Sequence, residues 1–214
     1  LHLQAPAPRP AAVVAEDLAP PADALKLRVR DLGVTFTQRR GGAVVAVEQL
    51  SLDVRDEEFV SIVGPTGCGK STLLRIVAGL IRPSRGDVAV EGPSAERGMV
   101  FQSYTLFPWL TVQGNVDFGL QLRGMPAEDR AQVARRYVDL VGLRGFERAY
   151  PTELSGGMHP RVAIARALPN DPAILLMDEP FGALDAQTRA VMQELLLQVW
   201  EQTHKTVLFV THDI

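Results

Sequence analysis

Across residues 27–36, and again across 44–54, apolar and polar positions alternate, most clearly at Leu50, Leu52 and Val54. A period of two turns one face of each segment to a core and the other to water. This predicts two half-buried strands joined by a turn at Gly41-Gly42, and hence an antiparallel β layer. The pattern then changes. Phe59-Val60-Ser61-Ile62-Val63 is nearly all apolar and runs into Gly64, after which Leu73, Leu74, Val77 and Ala78 recur at helical spacing. The order is strand, glycine loop, helix. Short strands are predicted at 88–90 and 99–101, and a helix over 127–143 with Val133, Tyr137, Leu140 and Val141 on one stripe. Past Ser155 a helix carries Val162, Ile164, Ala165 and Leu168 and stops at Pro169. Ile174-Leu175-Leu176-Met177 reads as a fully buried strand, 186 to about 202 as a helix, and 207–210 as a last strand. Buried strands alternating with helices predict an α/β fold whose parallel sheet is wrapped by helices.

Composition narrows the class. The chain has 214 residues, of which 46% are hydrophobic and 22% charged, which excludes a disordered chain, a collagen and a coiled-coil rod. A formal net charge of -3 gives no basic surface for nucleic acid, so no nucleic-acid partner is expected. Cys68 is the single cysteine and cannot form an intrachain disulfide, and no run of about 18 apolar residues is present to span a bilayer, so the chain reads as cytosolic. Residues 1–24 hold eight alanines and five prolines and are expected to be a flexible tail ahead of a folded domain at 25–214. The sequence stops at Ile214 directly after a strand-like run, which leads to the expectation that more of the domain follows.

Three motifs carry chemistry. Gly64-Pro65-Thr66-Gly67-Cys68-Gly69-Lys70-Ser71 fits G-x-x-x-x-G-K-[ST] between a strand and a helix. Its glycines let successive N–H groups face phosphate oxygens, and the helix adds its positive N-terminal end. Lys70 would reach the β- and γ-phosphates and Ser71 would ligate Mg²⁺. Without its flanking strand and helix the loop would be an ordinary glycine-rich turn. Asp178 ends a buried strand, where α/β sheets bind ligands, and would hold Mg²⁺ through water. Glu179 follows and can polarise a water that attacks the γ-phosphate; taken alone, Asp-Glu-Pro is a strand-ending turn. Leu154-Ser155-Gly156-Gly157-Met158 opens a helix with a serine in the N-cap position and two glycines, a second anion site or simply a capped helix. One domain does not readily fold two phosphate clamps around one nucleotide, so this one suits a nucleotide held by another copy.

In order along the chain these segments resemble the nucleotide-binding subunits of ABC transporters, most closely the importers of the nitrate, sulfonate and taurine type. The match runs from about 25 to 214. It takes in the phosphate loop, Gln102 after Val100-Phe101, Leu154 to Met158 with Arg161 to Leu168, Leu175 to Pro180, Gly182-Ala183-Leu184-Asp185, and His212. The resemblance implies a P-loop NTPase cassette with a mixed, mainly parallel core sheet, an N-terminal antiparallel β layer and a helical subdomain at about 103–168. It implies ATP hydrolysis with ATP and Mg²⁺ as ligands. Gly64 to Ser71 with Thr72 would bind nucleotide, and Gln102 would touch Mg²⁺ and the attacking water. His212 would contact the γ-phosphate, Asp185 the partner subunit, and Phe36 the adenine. It further implies a homodimer sandwiching two ATP between the phosphate loop of one copy and the Ser155-Gly156-Gly157 turn of the other. That dimer would lie on the cytoplasmic face of a membrane, where the Leu106-Phe107-Pro108-Trp109-Leu110 segment relays nucleotide state to a permease fed by a solute-binding protein.

The chain departs from this pattern at His159-Pro160, where the family usually has basic or amide residues. With Ser155 as cap, Pro160 would be the fifth residue of the helix. It would then remove the bond to the Gly156 carbonyl and reshape the turn, at a cost of up to about 3 kcal/mol. Two other readings stay open. One is a soluble ABC ATPase of repair or translation, although only 52 residues (103 to 154) separate Gln102 from Ser155, too few for the long coiled coil of repair members. The other is a nucleotide-binding fragment without turnover.

Overall fold

A computed structural model describes residues 12–14, 25–37, 42–91 and 96–212. The alternating segments at the start form β2 (Leu25–Thr37) and β3 (Ala43–Arg55), and β5 (Arg85–Val90) joins them in an antiparallel sheet of order β3-β2-β5. The turn expected at Gly41-Gly42 falls partly outside the described residues. The apolar runs form β4 (Phe59–Val63), β6 (Arg97–Val100), β7 (Ile174–Asp178) and β8 (Thr206–Thr211), all parallel, in the spatial order β4-β8-β7-β6. Of the Ala/Pro-rich segment expected to be a tail, Ala12–Val14 forms a strand, β1, antiparallel to β4. The outer edge of β4 offers unpaired backbone groups, which an Ala-Val-Val run can satisfy. The rest of that segment lies outside the described residues.

Among the described residues five α-helices complete the architecture: α1 (Lys70–Val77), α2 (Val112–Leu122), α3 (Ala127–Leu140), α4 (Met158–Ala167) and α5 (Ala186–Thr203). The parallel sheet divides the apolar residues between its two faces. Ile174 and Leu176 of β7, with Leu208 and Val210 of β8, face α1 and the antiparallel layer, where Leu27, Val29, Leu32, Leu73, Leu74 and Val77 fill one core. Leu175, Met177, Val207 and Phe209 point the other way, into a second core with residues of α2 to α5 such as Val116, Val138, Ile164 and Leu196. This is the period of two of a strand buried on both sides. It aims the carboxyl ends of β4, β6, β7 and β8 at one edge of the sheet, and the phosphate loop, Gln102, Glu179 and His212 lie on the segments leaving that edge.

Candidate nucleotide site

The phosphate loop leaves β4 and enters α1 at Gly69, which caps the helix in the left-handed region at φ 97°. A side chain there would run into the Ala46 carbonyl oxygen of β3. The loop is thus pinned from the side by the antiparallel layer, and only glycine fits at the point of contact. Lys70 is buried and its Nζ donates to the carbonyl oxygens of Gly64 at 2.6 Å and Pro65 at 2.9 Å. The same ammonium lies 4.0 Å from Glu179 Oε1. At the next residue, Ser71 Oγ donates to Asp178 Oδ1 at 2.7 Å.

Parallel register brings the other half of the site together. Asp178 pairs with Val210 across β7 and β8, and Val63 pairs with Thr211, so the residues just past these strands emerge side by side. Glu179 donates its N–H to the Val210 carbonyl at 2.9 Å and sits in the left-handed region at φ 46°. That is a strained state for a non-glycine residue, of the kind that persists where the surroundings fix it. His212 Nδ1 lies 3.0 Å from Glu179 Oε2. A carboxylate only accepts, so the proton resides on Nδ1. The Glu179 carboxylate is held between an ammonium and an imidazole, with the Ser71–Asp178 pair beside it.

Gln102 lies two residues beyond β6, whose Val100 faces Met177, so its loop leaves the sheet next to the Asp178 strand end. Phe36 pairs with Val44, on the stretch of β3 that also supplies the Ala46 carbonyl against Gly69; it is 41% exposed. Ser155, Gly156, Gly157 and Asp185 lie elsewhere. With Thr188 and Val191 they line an open concavity of about 570 Å³ between the start of α4 and the start of α5. Asp185 caps α5, accepting from Thr188 N–H at 3.0 Å and Thr188 Oγ1 at 2.7 Å, and these bonds hold its carboxyl below the ordinary aspartate range. Thr188 was not among the candidate residues. An Asp three residues ahead of a Thr at a helix start was the signal available for it.

The expected cap at Ser155 is corrected. The helix starts at Met158, Gly157 is its N-cap, and no side chain caps it. Helix α5 presses close here: a Cβ on Gly157 would lie 2.9 Å from Thr188 Cγ2. Pro160 is therefore the third helical residue, where an N–H has no acceptor within the helix. The expected reshaping of the turn by proline does not follow, and the reading of an inert fragment loses its main support.

The donor set suits a hard, oxygen-seeking cation bound with phosphates: one hydroxyl, Ser71, and one carboxylate, Asp178, within hydrogen-bond distance of each other where the glycine loop enters α1. Among the described residues no cluster of three or more His, Cys, Asp or Glu forms a self-sufficient metal cage. A cation here would have to complete its shell with substrate oxygens and water. No helix among the described residues is long and apolar enough to cross a membrane.

A P-loop between a parallel strand and a helix, an antiparallel sheet laid over it and a helical layer beyond define an ATP-binding cassette. Residues 47–182 match the ABC transporter family, and the chain belongs to that family. It is an ATPase cassette. Relatives include the nitrate import ATP-binding protein NrtD of Synechocystis sp., 50% identical over 195 residues that make up 89% of this chain and 73% of that one. Another is the taurine import ATP-binding protein TauB of Jannaschia sp., 47% identical over 193 residues, 88% of this chain and 72% of that one. Among solved structures, the dimeric post-hydrolysis state of the cassette MJ0796 with ADP and Pi superposes with a TM-score of 0.77 at 35% identity, covering 87% of this chain and 88% of that one.

Cys68 provides a direct probe of the loop. Its Sγ lies 3.9 Å from Lys70 Nζ and its side chain is partly accessible. N-ethylmaleimide is expected to label Cys68 and block nucleotide binding, and saturating Mg-ATP to slow labelling by about tenfold or more through occlusion of the pocket. Equal labelling rates with and without nucleotide would place Cys68 away from it.

Proposed function

We propose that two copies of this chain close on two ATP molecules and drive uptake of a small solute of the nitrate, sulfonate or taurine class through a membrane permease. The carrying observation is the convergence of Lys70, the Ser71–Asp178 pair and the Glu179–His212 pair on one sheet edge. In this reading the phosphate loop from Gly64 to Thr72 cradles the phosphates, Lys70 neutralises the β- and γ-oxygens, and Phe36 stacks on adenine. Ser71, Asp178 and Gln102 would hold Mg²⁺, which when bound offsets charge on the phosphate oxygens. Glu179 orients a water whose oxygen bonds to the γ-phosphorus as the bond to the ADP oxygen breaks. His212 steadies the Glu179 carboxylate and faces the γ-phosphate.

Closure by two copies is supported by the second face. The Ser155-Gly156-Gly157 turn and Asp185 border a concavity remote in sequence from the phosphate loop, and Ser155 and Gly156 are exposed. The NrtD and TauB names support an importer role, and with it a permease, a solute-binding protein and a place at the cytoplasmic membrane face. Trp109 is 69% exposed, with Phe107 packed between it and Phe118, an aromatic patch suited to docking such a permease. Residues 103–168, which include α2 to α4, would form the helical subdomain that carries it.

The two-copy reading is tested by light scattering in a Glu179→Gln background. ATP is expected to convert monomer to dimer, and Ser155→Arg, which sets a bulky charge on the exposed turn, to abolish that conversion while ATP still binds the monomer. Dimers that form equally well with Ser155→Arg would overturn it.

A further inference from the structure

The first turn of α4 is tied in an unusual way. The Ser155 carbonyl accepts from Met158 N–H at 3.0 Å and also from the ring of His159, whose Nδ1 lies 2.9 Å away. A carbonyl supplies no proton, so Nδ1 bears the hydrogen and donates. Proline at 160 brings no N–H to this end of the helix, and the imidazole adds a donor that holds Ser155 in the turn.

The ring of the same residue lies against a different segment. It stacks on Tyr104, with ring centroids 6.4 Å apart and planes 21° from parallel. Tyr104 and Thr105 follow Gln102 and both occupy the left-handed region, at φ 58° and 47°. Two successive non-glycine residues in that region are strained and persist only where something else holds them. What holds them comes from α4. Arg166 donates to the Tyr104 carbonyl at 2.8 Å and the Thr105 carbonyl at 2.7 Å, and its guanidinium lies 5.5 Å over the Phe107 ring. Burial pushes the Arg166 pKa down and the Tyr104 pKa up, and the Tyr104 hydroxyl is buried with no hydrogen-bond partner among the described residues. The loop after Gln102 is thus clasped at its backbone by Arg166 and at its Tyr104 ring by His159.

We propose that His159 is a positioning residue: its Nδ1–H sets the Ser155-Gly156-Gly157 turn, and its ring ties that turn to the loop following Gln102. The inference rests on the reading that this turn meets the nucleotide of a second copy. His159 touches no reacting atom. It acts by fixing where the Ser155 turn stands relative to the loop that follows Gln102, the residue proposed to serve the chain's own nucleotide.

Two substitutions separate the donor from the ring. In His159→Asn the amide nitrogen takes the place of Nδ1 and the ring is lost; in His159→Phe the ring remains and the donor is lost. His159→Phe is expected to lower kcat about tenfold and to raise the ATP concentration for half-maximal dimer formation, read with Glu179→Gln, by a similar factor, as loss of one well-placed hydrogen bond in a two-state closure does. ATP affinity of the monomer should stay within about twofold, which also reports that the chain is folded. His159→Asn is expected to close within about threefold of the parent, Tyr104→Leu to match it, and the pair together to cost no more than either alone. A packing role reverses the order, with Phe near the parent and Asn impaired, and that outcome overturns the inference. Additive losses in His159→Asn with Tyr104→Leu overturn the tie between turn and loop. Closure lost in Ser155→Arg but intact in His159→Phe overturns this inference alone, whereas closure surviving Ser155→Arg overturns the two-copy reading and this inference with it.

Discussion

Replacing Glu179 by glutamine is expected to slow ATP hydrolysis by at least about 100-fold while ATP stays bound, the loss usual when a general base or water-orienting carboxylate is removed. The substitution keeps the shape of the side chain. Glutamine still offers a carbonyl oxygen to His212 Nδ1, which sits 3.0 Å from the present carboxylate. Lys70 keeps its two bonds to the Gly64 and Pro65 carbonyls, and Ser71 keeps Asp178. What disappears is the negative charge, with its pull on a water proton. The nucleotide contacts survive and turnover does not, so ATP should accumulate in a closed dimer detectable by light scattering. Steady-state phosphate release at the parent rate would remove Glu179 from catalysis and leave Asp178 or a substrate oxygen to orient the water.

Much of the fold was legible because two periods were clear. The alternation at Leu50, Leu52 and Val54 marked β3, and the apolar runs at 59–63, 174–177 and 207–210 marked β4, β7 and β8, the last two buried on both sides. What such a run cannot state is which residues face which core. Ile174 and Leu176 go to the α1 side and Leu175 and Met177 to the helical side, a division set by the sheet. Helix α2 was not singled out, since Gly114 and Gly119 dilute its apolar stripe; its start was nevertheless marked by Thr111, whose side chain accepts from Gly114 N–H at 3.1 Å. Serine is the better N-cap by preference, yet Gly157 takes that place, and what the sequence does not display is the close approach there of Thr188, from a helix distant in sequence, which leaves no room for a side chain at 157. The individual candidate residues were legible as motifs. Their assembly depends on parallel register between β4, β7 and β8, and that belongs to the tertiary structure.

Gly69→Ala should abolish tight nucleotide binding, by about 100-fold or more in affinity, and lower the melting temperature by several degrees. Two costs fall on one methyl group. The backbone at φ 97° disfavours any L side chain by about 1–2 kcal/mol. The new Cβ would also overlap the Ala46 carbonyl oxygen and stand 3.2 Å from Val47 Cγ2. Relief requires a shift of backbone, since the obstructing atom belongs to β3, which is paired along its length with β2. Either β3 moves or the junction of loop and helix does, and the second course displaces Lys70 and Ser71 directly. Gly67→Ala separates the two costs, because Gly67 also has a positive φ, 83°, but nothing lies within 4 Å of a Cβ placed there. It should show the conformational cost alone, about 1 kcal/mol and so roughly 2–4 °C in melting temperature for a chain of this size. Thermal melts of both variants beside nucleotide titration of Gly69→Ala decide the matter. If Gly69→Ala melts with Gly67→Ala and binds ATP as the parent does, the antiparallel layer yields at Ala46 and does not hold the phosphate loop in place.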